Sequence, residues 1–164
     1  MRYIIYIFFT TIFSSCGFYS FTGASISPEV KTFSVSFFKN KANTINSSLS
    51  NTFTEKLKDY FTSQTNLQQI NQGGDLSFSG EIISYNIKPI AIRANETARE
   101  NRLTIKVNVS FTNKYDDKLN FNSTFSRFKD FPSTEDLSNV EDIYMEEICD
   151  ELIEDIFNKS VVNW

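Results

Sequence analysis

Over residues 30–38 apolar and polar side chains alternate, with Phe33, Val35 and Phe37 set against Thr32, Ser34 and Ser36. A period of two predicts a half-buried strand. Between residues 44 and 65 the period changes: Ile45, Leu49, Phe53, Leu57, Tyr60 and Phe61 recur three or four apart, on one helical face. Asn43 or Thr44 can cap that helix, and Gly73 with Gly74 breaks the chain after it. Residues 75–88 start as a strand on Leu76, Phe78 and Ile82, then slip phase to Ile83, Tyr85 and Ile87. The slip predicts a β-bulge near Ile82 and Ile83, helped by Gly80, with Pro89 closing the regular part. Residues 90–101 read as loop or strand extension. Leu103, Ile105, Val107, Val109 and Phe111 form the cleanest strand, Asp116 and Asp117 a hairpin turn, and residues 119–128 the returning strand with Phe121 and Phe125 toward the core. After a connector containing Pro132, a second helix runs from Thr134 or Ser138 to Asn158, striped by Val140, Ile143, Tyr144, Ile148, Leu152, Ile156 and Phe157. The order β-α-β-β-β-α predicts an α+β domain, two helices packed on one face of a four-stranded, mostly antiparallel sheet.

Ahead of these elements, Arg2 leads an apolar run over residues 4–13 that ends in Ser14, Ser15 and Cys16. The run is too short for a bilayer, which takes ~20 apolar residues. Charged start, apolar centre and small residues before a cut make a secretory signal. A cysteine placed directly after the small residues resembles a bacterial lipoprotein signal. In that class the sulfur of Cys16 would receive a diacylglycerol, cleavage would fall before Cys16, and the new amino terminus would be acylated. An ordinary cleaved signal, or a buried strand whose cysteine is incidental, is the competing reading. The expected organisation is residues 1–15 as signal peptide, 16–29 as lipidated tether and 30–164 as one domain. Each buried CH₂ contributes ~0.8 kcal/mol, so two or more chains would hold the domain at a membrane surface. Phe18, Tyr19 and Phe21 in the tether are expected to pack on the domain or on a partner.

The charges set limits on chemistry. The chain carries 16 basic and 20 acidic residues, a net −4, which argues against a general nucleic-acid binder. It has no histidine, hence neither the commonest general base nor the commonest metal ligand. With Cys16 assigned to lipid, Cys149 has no partner and no intrachain disulfide is expected. Cys149 sits beside Ile148 and near Leu152 among acidic neighbours, the setting of a buried structural thiol rather than a reactive one. In the second helix, carboxylates 146-150-154 and 147-151-155 stack at i,i+4. They read first as a solvated face and second as a partner contact. Lys88, Arg93, Arg99 and Arg102 bracket the loop between the second and third strands. They are candidates for contact with an anionic ligand or partner through guanidinium forks, against local pairing with Glu96 and Glu100. No enzyme signature, metal site or phosphate-cradling glycine pattern is found. No cofactor is expected beyond the covalent diacylglycerol and acyl chain at Cys16.

Two short stretches, CGFYSFTGASI over residues 16–26 and NRLTIKV over residues 101–107, resemble LptE-like lipopolysaccharide-assembly lipoproteins. The resemblance implies a non-enzymatic protein held by Cys16 in the outer membrane and facing the periplasm, with two helices on a four-stranded sheet. It further implies a plug for an LptD-type β-barrel that helps the barrel assemble and assists lipopolysaccharide delivery to the cell surface. Lipopolysaccharide itself is then a candidate contact of the basic loop residues. Two rivals come from other classes. A free periplasmic ligand-binding lipoprotein would need a deep apolar pocket, and a tethered hydrolase would need two carboxylates facing each other in a cleft.

Overall fold

The computed structural model describes residues 26–43, 46–90 and 100–162. The proposed signal peptide, Cys16 and most of the tether lie outside them. The described elements are β1 (Thr32–Val35), β2 (Lys39–Asn40), α1 (Leu49–Gln64), β3 (Gln68–Gln69), β4 (Leu76–Ile90), β5 (Glu100–Asn113), a 3-10 turn (Asp117–Leu119), β6 (Phe121–Pro132) and α2 (Leu137–Val161). The strands form one six-stranded sheet in the order β3-β1-β4-β5-β6, with β2 also paired to β4. This corrects the expected four strands: β2 and β3 are two residues each, too short to show a period. It also makes the sheet mixed. Strand β4 runs antiparallel to β5, and β5 to β6, whereas β1 is parallel to β3 and β4, and β2 to β4. The chain leaves β1, crosses through α1 and re-enters at β4, and such a crossover returns a strand parallel to the first.

Both helices lie on one face of the sheet. On β5, Leu103, Ile105, Val107 and Val109 are fully buried beneath them, while Arg102, Thr104, Lys106, Asn108 and Ser110 alternate onto the opposite face. From α1 come Leu49, Phe53, Leu57 and Phe61, and from α2 Met145, Ile148, Cys149, Leu152, Ile153, Ile156 and Phe157. Phe61 is the hub of the aromatic core, with ring centroids 5.6 Å from Phe33, 4.6 Å from Phe78 and 5.1 Å from Phe157.

The expected bulge is present, as a register shift between Ile82 and Ser84. Gly80 has a different task from the one expected of it. A Cβ there would lie 2.0 Å from the Asn108 carbonyl oxygen and 2.7 Å from the Phe38 ring. The missing side chain thus leaves the space that Phe38 fills. The first strand is accordingly interrupted after Val35: Phe38 is fully buried and Phe37, expected in the core, is 55% exposed. The backbone N–H of Phe38 donates to Thr54 Oγ1 on α1 at 3.1 Å, which holds the interruption in place.

Other boundaries moved for local reasons. Helix α1 begins at Leu49, where Asn46 Oδ1 accepts from the backbone N–H groups of Ser48 and Leu49 at 3.0 and 3.2 Å. Thr44 and Ile45 lie outside the described residues. Ile143 is 57% exposed rather than part of the buried stripe. Strand β4 continues past Pro89. The Lys114 N–H donates to the Asp75 carbonyl while the Phe78 carbonyl accepts from Ser36, so even-numbered β5 residues exchange backbone bonds with β4. Pro89 faces odd-numbered Asn101, and its missing N–H would have pointed away from β5.

Candidate functional site

Alternation along β4, β5 and β6 places Asn86, Thr104, Lys106, Asn108, Ser110, Asn122, Thr124 and Ser126 on the sheet face opposite the helices. These positions are half-buried or exposed. The result is a polar surface of hydroxyls and amides with one lysine, opposite the two helices. Its residues are polar because they occupy the half of each strand that does not enter the core.

At one end of this face sits the basic group singled out in the sequence. Lys88 pairs across β4 and β5 with Arg102, and Arg102 pairs across β5 and β6 with Asp130. Arg102 donates from Nε to Asp130 Oδ1 and from Nη2 to Asp130 Oδ2, both at 2.7 Å. Its guanidinium carbon lies 3.7 Å from the centroid of the Phe128 ring, which is 48% exposed. The hydrogen bond from Arg102 holds the Asp130 carboxyl below the usual carboxylate range, and Asp130 raises the guanidinium in turn. The fork therefore grips a cross-strand aspartate; Glu100 adds only its charge, and Glu96 lies outside the described residues. Lys88 and Lys106 are exposed on the same face. Arg93 and Arg99 lie outside the described residues, so the structure brings together Lys88 and Arg102 of the four. Sequence reasoning missed Phe128 and Asp130, which the β5–β6 register supplies, and Lys106, which the alternation of β5 alone sets on the face of Arg102.

The acidic helix is not a bare solvated face. Lys129 on β6 pairs with Glu147. Arg127 donates from Nε and Nη2 to Asp155, both at 2.6 Å, with Glu151 at 3.9 Å. On the other flank Lys56 of α1 meets Asp150 at 2.8 Å and Glu146 at 3.6 Å. Each carboxylate stack is met by cations from the element packed beside it, which offsets the i,i+4 repulsion.

Little here suits catalysis. Cys149 is fully buried, and burial pushes its thiol up to about 12. Among the described residues no group of three or more Cys, Asp or Glu side chains could hold a metal ion. Asp75 is buried, but its carboxylate is occupied by Lys31 and Thr32. A cleft of about 430 Å³ lies where α2 ends beside the β5–β6 turn. Its walls mix Glu29, Asn113 and Asp116 with Ile26, Tyr115 and Val161, unlike the deep apolar pocket of a small-molecule carrier. No described helix is long and apolar enough to cross a membrane.

The fold is shared with solved structures at low identity. A minor lipoprotein from Acinetobacter baumannii matches with TM-score 0.53 and 14% identity, over 80% of this chain and 92% of that one. A hypothetical protein from Chlamydia trachomatis matches with TM-score 0.53 and 9% identity, over 82% and 99%. No curated protein matches the sequence. The family model described as LptE, lipopolysaccharide-assembly, matches residues 30–160, nearly the whole predicted domain, and the chain belongs to that family.

Proposed function

We propose that this chain is a non-enzymatic, lipid-anchored subunit of the outer-membrane lipopolysaccharide translocon. In this reading residues 1–15 are removed, Cys16 carries the diacylglycerol and acyl chain, and the domain faces the periplasm. There it plugs an LptD-type β-barrel, helps it assemble and assists lipopolysaccharide delivery to the surface. The observation that carries the reading is the family match over residues 30–160. The polar outer sheet face supports it, because a wall of hydroxyls and amides suits the polar interior of a large barrel. Lys88 and Arg102 lie on that face, and with Arg93 and Arg99 they are the proposed contacts for the barrel or for an anionic lipopolysaccharide group.

A mild-detergent pull-down from outer membranes with a C-terminal tag tests this, the co-purifying chains being identified by mass spectrometry. Recovery of one large β-barrel in near-equal amount is expected. Recovery of the lipoprotein alone overturns the plug reading. For the anchor, Cys16→Ala is expected to release the domain from membrane fractions, and retention there without a partner overturns it.

A further inference from the structure

Both ends of the described chain meet at one place. Ile26, the first described residue, and Ser160 and Val161, the last two of α2, line the same cleft of about 430 Å³. A tight turn holds the entering chain there: the Val30 N–H donates to the Ser27 carbonyl at 3.0 Å, and Ile26 packs against the core. Ile26 and Leu119 stay only half-buried, and Tyr115 is 46% exposed. Apolar surface is thus gathered around a space that no described side chain fills.

Trp164, the only tryptophan of the chain, comes three residues after Val161. The Val162 N–H still donates to the Asn158 carbonyl at 3.2 Å, so the helical course is kept to that point. Three residues span at most ~10 Å of backbone, which keeps the indole within reach of the cleft. An indole joins a large apolar body to a single N–H donor, and a buried one finds that donor a partner. The cleft offers both. Ile26, Tyr115, Leu119 and Val161 supply the apolar wall. Glu29, exposed and without a hydrogen bond or ion pair among the described residues, supplies the open acceptor. The tether's aromatics meet these terms less well. Phe21 has no donor for the carboxylate, and Tyr19, which has one, stands seven residues from Ile26. Confining a longer segment costs more entropy.

We propose that Trp164 seats its indole in this cleft, the ring against Tyr115, Leu119 and Val161 and the N–H directed to the Glu29 carboxylate. Seated so, it clamps the end of α2 to the segment by which the tether joins the domain. A pull arriving through Ile26 is then carried by α2 as well as by β1. The contact itself rests neither on the anchor nor on the barrel partner.

The test uses the full chain in mild detergent, where Trp164 is the sole tryptophan emitter. Acrylamide quenching of its fluorescence is expected to be weak in the native chain and to reach that of a free tryptophan amide in denaturant. Tyr115→Ala and Glu29→Ala are expected to keep the folded circular dichroism spectrum. Each is expected to raise native quenching about two- to tenfold, the worth of one aromatic pair or one hydrogen bond. Trypsin reads the clamp: the bond after Lys31 is expected to be cut faster in Trp164→Ala than in wild type, by about two- to tenfold for the same loss. Native quenching as strong as in denaturant overturns the proposal. So does weak quenching that neither cleft variant changes, since another surface then shelters the indole. Equal cutting at Lys31 in wild type and Trp164→Ala means that the contact holds nothing, and overturns the clamp. If Phe21→Ala speeds that cut and Trp164→Ala does not, the tether fills the cleft and the proposal fails. Should Tyr115→Ala misfold, Glu29→Ala and the unchanged protein decide the matter.

Discussion

Tyr85 on β4 and Glu141 near the start of α2 are joined by a 2.5 Å hydrogen bond from the phenol to Oε1. The same oxygen accepts from Asn46 Nδ2 at 2.9 Å. One carboxylate thus ties the sheet, the approach to α1 and the first turns of α2 at a single point. Burial, then Glu141, pushes the phenol well above its ordinary range. The bond is to a charged acceptor, so Tyr85→Phe is expected to cost about 1–3 kcal/mol at neutral pH by denaturant unfolding. The sign with pH follows from the raised value. The stabilisation is complete below the unfolded phenol's pKa, about 10, and falls away as pH rises beyond it. Melts between neutral pH and pH values above about 10 are therefore expected to show the gap between wild type and Tyr85→Phe closing.

Asp75 makes the corresponding tie at the start of the sheet. Its Oδ2 accepts from the backbone N–H groups of Lys31 and Thr32, both at 3.0 Å, and from Thr32 Oγ1 at 2.9 Å. The bond from the Lys31 N–H is the main cause of a carboxyl held below its ordinary range. Asp75→Ala leaves these donors without their acceptor and is expected to cost about 1–3 kcal/mol. Asp75→Asn retains an oxygen and costs less. Because the folded value is depressed, the charge-dependent part is present above the unfolded carboxyl's pKa, about 3.9, and is lost as pH falls through the lower folded value. The difference between wild type and Asp75→Asn is expected to vanish in acid. If it stays constant to low pH, ionisation of Asp75 has no part in stability.

Gly80 supplies a test of the interrupted first strand. A methyl group there meets the Asn108 carbonyl oxygen, which is backbone and has little room to yield, as well as the Phe38 ring. Gly80→Ala is expected to destabilise by about 1–3 kcal/mol through overpacking. Phe38→Leu, which shrinks the ring that fills the space, is expected to recover part of that loss in the double variant and to destabilise when made alone. Strict additivity of the two would show that Phe38 and position 80 are not coupled.

These features show what could be read from the chain and what could not. The long-period elements were legible: the alternation of β5, the phase slip at Ile82 and both helices were plain in the order of residues. Phe37 and Phe38 were not, because the choice between them depends on empty space above Gly80, on a strand that comes after α1. The two-residue strands have no period to detect. Pro89 looked like a terminator, yet its tolerance depends on which side of β4 its nitrogen faces. The candidate site was cut short at its far strand. Ending the returning strand at residue 128 leaves Asp130 in a connector, whereas β6 runs on to Pro132 and sets Asp130 opposite Arg102. Which face Phe128 takes depends on the register with β5, and one step of slip exchanges the two faces of a strand. That is why the fork to Asp130 and the contact with the Phe128 ring were missed while Arg102 itself was found.

Cys149 reports on the opening of the helix layer. It is fully buried against the core, and its thiol is pushed up to about 12. The thiolate is the reactive form, and burial disfavours it. With Cys16 replaced by alanine, Cys149 is the sole remaining cysteine of the two in the chain. Aromatic disulfide reagents are expected to label it at once in denaturant and, in native buffer, only at the rate at which α2 lifts from the sheet. Lys56→Ala removes the cation that links α2 to α1 through Asp150 and Glu146. If helix lifting controls access, that variant labels faster in proportion to its loss of stability. Native labelling as fast as an exposed thiol would show instead that the sulfur reaches solvent without any opening of α2.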